Sequence, residues 1–208
     1  MHRFLIRYLL ISSLVFITAS CAVKTVAGYN ESDEAGIYEA PYFSDKAEDY
    51  VYKAHISVYG KEFGGIFIAK KVSDSIYRAA FTTEFGTKLF DFEISDNSFN
   101  VNYIIEELDR KIIINTLKQD FMLLLKQRHV YKSSYKNEEF TVLKSENGGR
   151  NNYLFVNRRD NRLLKLINTT RTKEKIIVDY KPESDILAEK ISIDHKNINL
   201  KIELTFIK

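Results

Sequence analysis

The chain has 208 residues, of which 45% are hydrophobic and 28% are charged. Its formal net charge of +3 does not indicate a nucleic-acid-binding surface, and its length corresponds to one domain. The single cysteine excludes a disulfide within the chain.

Residues 1–20 have the features of an export signal. Arg3 and Arg7 form a positive head, and a mostly apolar run follows from Tyr8 to Ala19. This run is shorter than the roughly 20 apolar residues that a transmembrane helix needs, and its length suits the core of a secretory signal. Loss of residues 1–20 would remove both arginines and lower the formal charge from +3 to +1.

The only cysteine, Cys21, closes the sequence "ITASC". This sequence resembles a bacterial lipobox, although Thr18 stands where Leu is common. The resemblance implies that Cys21 receives a diacylglycerol, and that acyl chains worth about 0.8 kcal/mol per buried methylene hold the protein on a bilayer. An ordinary cleaved signal with an incidental cysteine and an uncleaved anchor helix are the alternatives. Because Ala22, and not Asp, follows Cys21, the resemblance favours the bacterial outer membrane, and the lack of an acidic cluster directly after Cys21 favours its periplasmic face.

A change of composition divides the remaining chain in two. Residues 21–48 are small, polar and acidic, and we expect a flexible tether there. Residues 49–208 form the expected domain. Within it, the segment up to about residue 104 contains a series of alternating apolar and polar stretches separated by Gly, Ser, Asp and Asn. Period two with one apolar face predicts half-buried strands, here in an antiparallel meander.

The pattern becomes helical near residue 109. Apolar residues recur at helical spacing, which predicts a helix over 109–128 with Asp109 as a candidate N-cap. We expect this helix to cover one face of the sheet; a basic amphipathic helix lying on a membrane is the alternative. After a polar stretch at 129–138 strands resume, and the last one alternates cleanly at Ile198, Leu200, Ile202, Leu204 and Phe206.

These elements predict a mainly β (α+β) fold. We expect a large curved antiparallel sheet, or unclosed β-barrel, with the central helix covering its concave face, because a sheet of about ten strands twists and curls. The element order, with "YRAAFTTEFGTKLFDFEI" and the closing strands from Pro182, is similar to the LolA/LolB-like lipoprotein-localisation group. That resemblance implies a helical lid, a hydrophobic cavity for acyl chains and a protruding apolar loop, for which "FGG" at 63–65 is the candidate.

The sequence gives little sign of chemistry. His55, His129 and His195 are not at metal-ligand spacing, and no phosphate-binding Gly loop or nucleophile elbow appears. Asp91 and Glu93 could form a carboxylate pair, but an ordinary strand face is the simpler interpretation. Residues 158–159, both Arg, could meet a lipid phosphate, but a solvated turn is simpler. We therefore expect neither an enzyme nor a metal or other cofactor.

Two functions of different class remain. The first is a membrane-anchored, non-enzymatic envelope lipoprotein that binds lipid or acyl chains in an apolar groove, in lipid or lipoprotein transfer. The second is a structural or accessory lipoprotein with a filled core that docks a protein partner. Residues expected to line the cavity or the core are Ile56, Val58, Phe67, Tyr77, Phe81, Phe90, Phe92, Leu117, Phe121 and Leu204.

Overall fold

The computed structural model describes residues 24–207. After a short 3-10 turn at Lys24–Val26, the described chain forms fourteen strands and one helix. The first seven strands are β1 (Asn30–Ser32), β2 (Gly36–Glu39), β3 (Asp49–Val58), β4 (Lys61–Lys71), β5 (Ile76–Thr82), β6 (Lys88–Ser95) and β7 (Phe99–Ile104). Helix α1 (Lys111–Leu124) follows, and then β8 (Arg128–Lys136), β9 (Phe140–Asn147), β10 (Arg150–Asn157), β11 (Leu163–Thr169), β12 (Glu174–Pro182), β13 (Ala188–His195) and β14 (Leu200–Phe206).

The strands form one antiparallel sheet in the order β1-β8-β9-β10-β11-β12-β13-β14-β3-β4-β5-β6-β7. Strand β2 pairs with β8 beside β1. The sheet is unclosed, with β7 at one edge and β1 and β2 at the other. The last strand, β14, pairs with β3 and so joins the strands before the helix to those after it.

The sheet curls around α1. The Lys118 ammonium lies 5.9 Å from the ring centre of Phe99 on β7, whereas the neighbouring Gln119 accepts a hydrogen bond of 2.9 Å from Arg150 on β10. Strands β7 and β10 are nine strand spacings apart in the sheet order, a distance of roughly 43 Å in a flat sheet. Adjacent residues of one helix reach both strands, so the helix lies on a concave face. The predicted fold class is confirmed.

The concave face is packed with aromatic rings. Phe121 of α1 stacks on Phe67 with ring centres 5.1 Å apart, and its ring centre lies 5.5 Å from that of Phe90 and 6.2 Å from that of Phe92. All four side chains are fully buried. Helix side chains therefore fill this part of the interior.

A second apolar cluster lies on the opposite, convex face of the sheet. It contains Val142, Tyr153, Phe155 and Ile167, and Val26 and Tyr29 pack over it. The ring of Tyr29 meets that of Phe155 edge-on at 6.2 Å. The start of the described chain thus lies against the sheet.

The prediction of a flexible tether over 21–48 is wrong within the described part of that segment. Strands β1 and β2 lie within it, and Tyr42 and Phe43 are buried. Two of its acidic residues are partners of the sheet: Glu31 accepts a hydrogen bond from Tyr135, and Glu34 pairs with a lysine of β8. The acidic composition suggested a solvated linker, but Glu31 and Glu34 instead contact side chains of β8.

Three local predictions also need correction. The helix is shorter than 109–128, and its N-cap position is Arg110, without a side-chain capping bond, instead of Asp109. The polar stretch 129–138 is mostly strand β8. The "FGG" segment is no loop, because Gly65 is buried within β4 opposite Ala54.

The predicted signal at 1–20 and the predicted lipidation site Cys21 lie outside the described residues. Among residues 24–207, no helix has the length and apolar character needed to cross a membrane.

Candidate functional site

The strand register divides the turns of the sheet between two ends. We call one the proximal end; its turns include residues 83–87, 148–149, 170–173 and 196–199. The opposite, distal end includes the turns at 72–75, 158–162 and 183–187. Thr25 donates a 2.8 Å hydrogen bond to Glu174 at the start of β12. The described chain therefore begins at the proximal end.

Two cavities open at the proximal end between α1 and the strands β10 to β13. Their volumes are about 510 Å³ and about 250 Å³, and they share Gln119, Arg150 and Ile176 in their walls. The larger cavity has polar walls, which include Lys111, Asn115, Lys175, His195 and Asn197. The smaller one is more apolar, with Met122 and Leu123 from the helix. Together they form one amphipathic opening beneath the helix.

Arg150 lies in the walls of both cavities and begins a chain of hydrogen-bonded amide groups. Its Nη1 donates to Oε1 of Gln119 at 2.9 Å and to Oδ1 of Asn168 at 3.2 Å. The amide of Asn168 then donates to Oδ1 of Asn152 at 2.6 Å. The buried Nδ2 of Asn152 has no partner among the described residues. These hydrogen bonds form a line of polar side chains from the opening of the cavities into the sheet.

A buried pair of titratable groups joins the helix to the sheet beside these cavities. Nε2 of His195 lies 2.7 Å from Oδ1 of Asp120, and neither side chain is more than 3% exposed. Burial raises the pKa of Asp120, while the hydrogen bond from His195 opposes that rise. Sequence reasoning missed this pair, although an Asp within the apolar stripe of the helix is a detectable signal.

The other two histidines that the sequence analysis considered make structural contacts. His129 is buried with Nε2 at 3.2 Å from the carbonyl of Lys126, and burial lowers the pKa of His129 to about 4. Exposed His55 pairs with Glu62 at 2.8 Å. Among the described residues, no group of His, Cys, Asp and Glu side chains is arranged to hold a metal ion.

Asp91 and Glu93 do not form a carboxylate pair. Arg78 binds Asp91 through two hydrogen bonds, of 2.9 and 2.8 Å, and Lys88 adds a third at 2.9 Å. These cationic donors hold the pKa of Asp91 well below its ordinary value. Glu93 instead accepts a hydrogen bond from Asn100. Asp91 is therefore a structural carboxylate.

All ten predicted lining residues are buried in the main core. None of them belongs to the walls of the two proximal cavities. Those walls include Met122, Leu123 and Ile176, which the sequence analysis missed because neither helical nor strand periodicity shows which residues lie at an opening. Phe121 and Leu117 belong to the same helix as Met122 and Leu123, and their side chains pack in the core.

One large apolar side chain projects from the proximal end. Phe85, in the turn between β5 and β6, is 98% exposed. A further cavity of about 560 Å³ lies on strands β3, β12, β13 and β14. Its walls carry outward charges of both signs, among them Lys53, Asp179 and Glu203, and it does not adjoin the helix.

Comparison with solved structures identifies the fold. A LolA superfamily protein from Nitrosomonas europaea superposes with a TM-score of 0.53 at 9% identity, over 81% of this chain and 88% of that protein. The chain has a LolA-like fold. An outer membrane lipoprotein-sorting protein domain from Vibrio parahaemolyticus gives a TM-score of 0.47 at 8% identity, over 77% of this chain and 83% of that domain. No family model matches the sequence, and no curated protein matches it.

Proposed function

We propose that this protein is a lipid-anchored, non-enzymatic component of the bacterial cell envelope that holds acyl chains beneath α1, in lipid or lipoprotein transfer. The observation that carries the proposal is the amphipathic opening between α1 and the sheet within a LolA-like fold. Ligand sites of this kind are concave and mainly apolar, with a few polar groups that fix orientation.

The position of the expected anchor supports this function. Cys21 precedes Lys24 by three residues, and three extended residues span at most about 11 Å. Since Thr25 is bonded to Glu174 at the proximal end, lipidation of Cys21 holds that end close to a bilayer. Exposed Phe85 is at the same end and can enter the interfacial region. We propose the periplasmic face of the outer membrane as that bilayer.

Acyl chains then have a short path from the membrane to the site. Met122, Leu123 and Ile176 offer apolar contacts at the opening, and each buried methylene contributes about 0.8 kcal/mol. Deeper entry requires that the chain replace helix side chains such as Phe121, which stacks on Phe67. Of the ten core residues named from the sequence, Leu117 and Phe121 belong to α1, and the eight strand residues are, in this proposal, the surface uncovered when α1 moves.

Binding of a neutral fluorescent monoacylglycerol by the full chain tests the proposal. Met122 is only partly buried, so Met122→Glu places a charge at the opening at little cost to the core. We expect it to weaken binding at least tenfold. The matched control is Val72→Glu, an exposed apolar residue at the distal end, which should bind as wild type does. No binding by the wild-type chain, or equal loss in both variants, contradicts the proposal.

Anchoring is tested by mass spectrometry of the mature chain purified from membranes. We expect Cys21 as the first residue with a diacylglyceryl group, and Cys21→Ser should abolish this modification. Retention of residues 1–20, or an unmodified Cys21, contradicts the anchor.

A second candidate function is an accessory lipoprotein that docks a protein partner. The stacked rings at Phe67 and Phe121 favour it, because they fill the interior. So does the exposed apolar pair of Ile37 and Val130, which lie opposite each other on β2 and β8. The monoacylglycerol experiment separates the two functions, because a permanently filled core binds no acyl chain.

A further inference from the structure

We infer that the proximal cavities bind the anionic headgroup of a single-chain amphiphile, a carboxylate or a phosphate, with Arg150, Lys111 and Lys175 as the cationic contacts. This inference rests on the proposed function, and it names the class of ligand that the opening selects.

The walls of the two cavities carry charge of one sign. Lys111 from α1, Arg150 from β10 and Lys175 from β12 all line the larger cavity. No Asp or Glu is present among the described residues that line either cavity. Within residues 24–207, neither Lys111 nor Lys175 has an ion-pair partner. Three cations from separate elements line one cavity whose walls contain no carboxylate among the described residues, and this favours a bound anion.

Arg150 is in position to bind such an anion with two hydrogen bonds. Its contacts with Gln119 and Asn168 both use Nη1, so that within the described part of the chain Nε and Nη2 are available. A planar guanidinium presents these two donors in the fork that matches a carboxylate or phosphate. Gln119 and Asn168 meanwhile hold the guanidinium in place.

A second observation points to a ligand at the same place. Asn152 is fully buried, and its Nδ2 donor has no partner among residues 24–207. Asn168, which bonds Asn152 at 2.6 Å, is itself a wall of the smaller cavity. Buried polar groups are nearly always hydrogen-bonded. A headgroup oxygen supplies the missing acceptor through a bridging water, because Asn152 itself lines neither cavity.

The apolar walls of the opening favour a ligand that carries a hydrocarbon chain. Met122, Leu123 and Ile176 adjoin Arg150 in the smaller cavity. Burial of a hydrocarbon chain there is favourable by the hydrophobic effect, whereas a free inorganic anion gains nothing from these walls. The site therefore favours an amphiphile over a free anion.

Competition between matched ligands tests this inference. The full chain is placed in nanodiscs of neutral phosphatidylcholine, and displacement of the neutral fluorescent monoacylglycerol is measured with decyl phosphate, decanoate, decanol and inorganic phosphate. We expect both anionic amphiphiles to displace the probe at concentrations at least tenfold below that of decanol. Inorganic phosphate should not compete. Equal potency of decanol and decyl phosphate overturns the inference, and so does equal potency of inorganic phosphate, which would mark a free-anion site.

Charge removal at the site gives the second arm. The double variant Arg150→Gln/Lys175→Gln should lose the preference for decyl phosphate over decanol. The control Lys165→Gln/Lys181→Gln removes two lysines that pair with carboxylates elsewhere on the sheet, and it should keep the preference. A preference that persists in the Arg150 variant contradicts the site.

The failure of this inference is distinguishable from failure of the proposed function. If the neutral probe does not bind the wild-type chain, the proposed function fails. Calorimetry of decyl phosphate against inorganic phosphate then tests the headgroup site by itself, and absence of a preference for the amphiphile overturns it.

Discussion

Nε2 of His195 lies 2.7 Å from Oδ1 of Asp120, and this contact fastens the middle of α1 to the end of β13. Both side chains are buried beside the opening where we propose that acyl chains enter. The helix is thus held by stacked rings on one side and by this polar pair on the other.

The Asp120–His195 pair should contribute to stability as a unit. Removal of one partner from a buried pair typically costs about 3–5 kcal/mol, because the other is left unsatisfied. We expect Asp120→Ala to lower the free energy of unfolding in urea by about 3 kcal/mol. His195→Ala added to it should cost much less than it does alone. Additive losses in the double-mutant cycle would show that the two side chains act independently.

Adjacent glycines in β4 should respond very differently to alanine. A Cβ on Gly65 would overlap the backbone carbonyl of Thr82 on β5, whereas a Cβ on Gly64 meets nothing within 4 Å. Because backbone cannot move aside cheaply in a central strand, we expect Gly65→Ala to destabilise by about 3 kcal/mol or more. Gly64→Ala should be within about 0.5 kcal/mol of wild type. Similar urea midpoints for the two variants would contradict this packing.

Burial of His129 predicts a loss of stability in mild acid. The pKa of His129 falls from 6.5 to about 4 in the folded chain, so the stabilisation is complete above pH 6.5 and declines as the pH drops through 4. Between pH 7 and pH 5 the expected loss from this group is about 2 kcal/mol. His129→Phe should show a pH dependence smaller by that amount in urea titrations. An unchanged pH dependence in the variant would refute the assignment.

Exposed Phe85 should strengthen contact with a membrane surface. We expect Phe85→Ser, in the full chain with Cys21→Ser to remove the anchor, to reduce sedimentation with phosphatidylcholine vesicles at least threefold. Val72→Ser in the same background is the control, because Val72 is exposed at the distal end. If both substitutions have the same effect, or if neither has one, Phe85 does not meet the bilayer.

Much of the fold was predictable because alternation is a local signal. The last strand shows it most clearly: Leu200, Ile202 and Leu204 are buried, while Lys201 and Glu203 are exposed. The period of two that predicted this strand reports burial on one face directly. The helix was predictable for the same reason, since its apolar stripe faces the sheet.

Segments whose burial depends on distant partners were not predictable. Glu31 and Glu34 look like linker residues until Tyr135 and Lys136, about a hundred positions later in the chain, are placed beside them. Strand β8 was missed because its polar residues, such as buried Ser134, pair with that same segment. Pairing between residues far apart in the chain produces no periodic apolar pattern in either of the two segments.

The residues around the proximal opening were not predicted from the sequence. The ten residues chosen from the sequence belong to the core, but the opening is defined by where α1 fails to meet the sheet. Arg150 is an example of a residue whose position could not be predicted. In the sequence it directly follows Gly148-Gly149, and only the curl of the sheet brings it into contact with Gln119. The curvature of the folded sheet determines which side chains come into contact at the opening.

Photo-crosslinking with an acyl chain that carries a terminal diazirine tests the central claim most directly. The full chain is loaded with the probe in phosphatidylcholine nanodiscs, irradiated, and mapped by peptide mass spectrometry. We expect adducts on residues 119–125 of the helix region and on inner residues of β10 to β12, such as Ile176. Adducts confined to the convex face near Tyr153, or no adducts at all, would contradict an acyl site beneath α1.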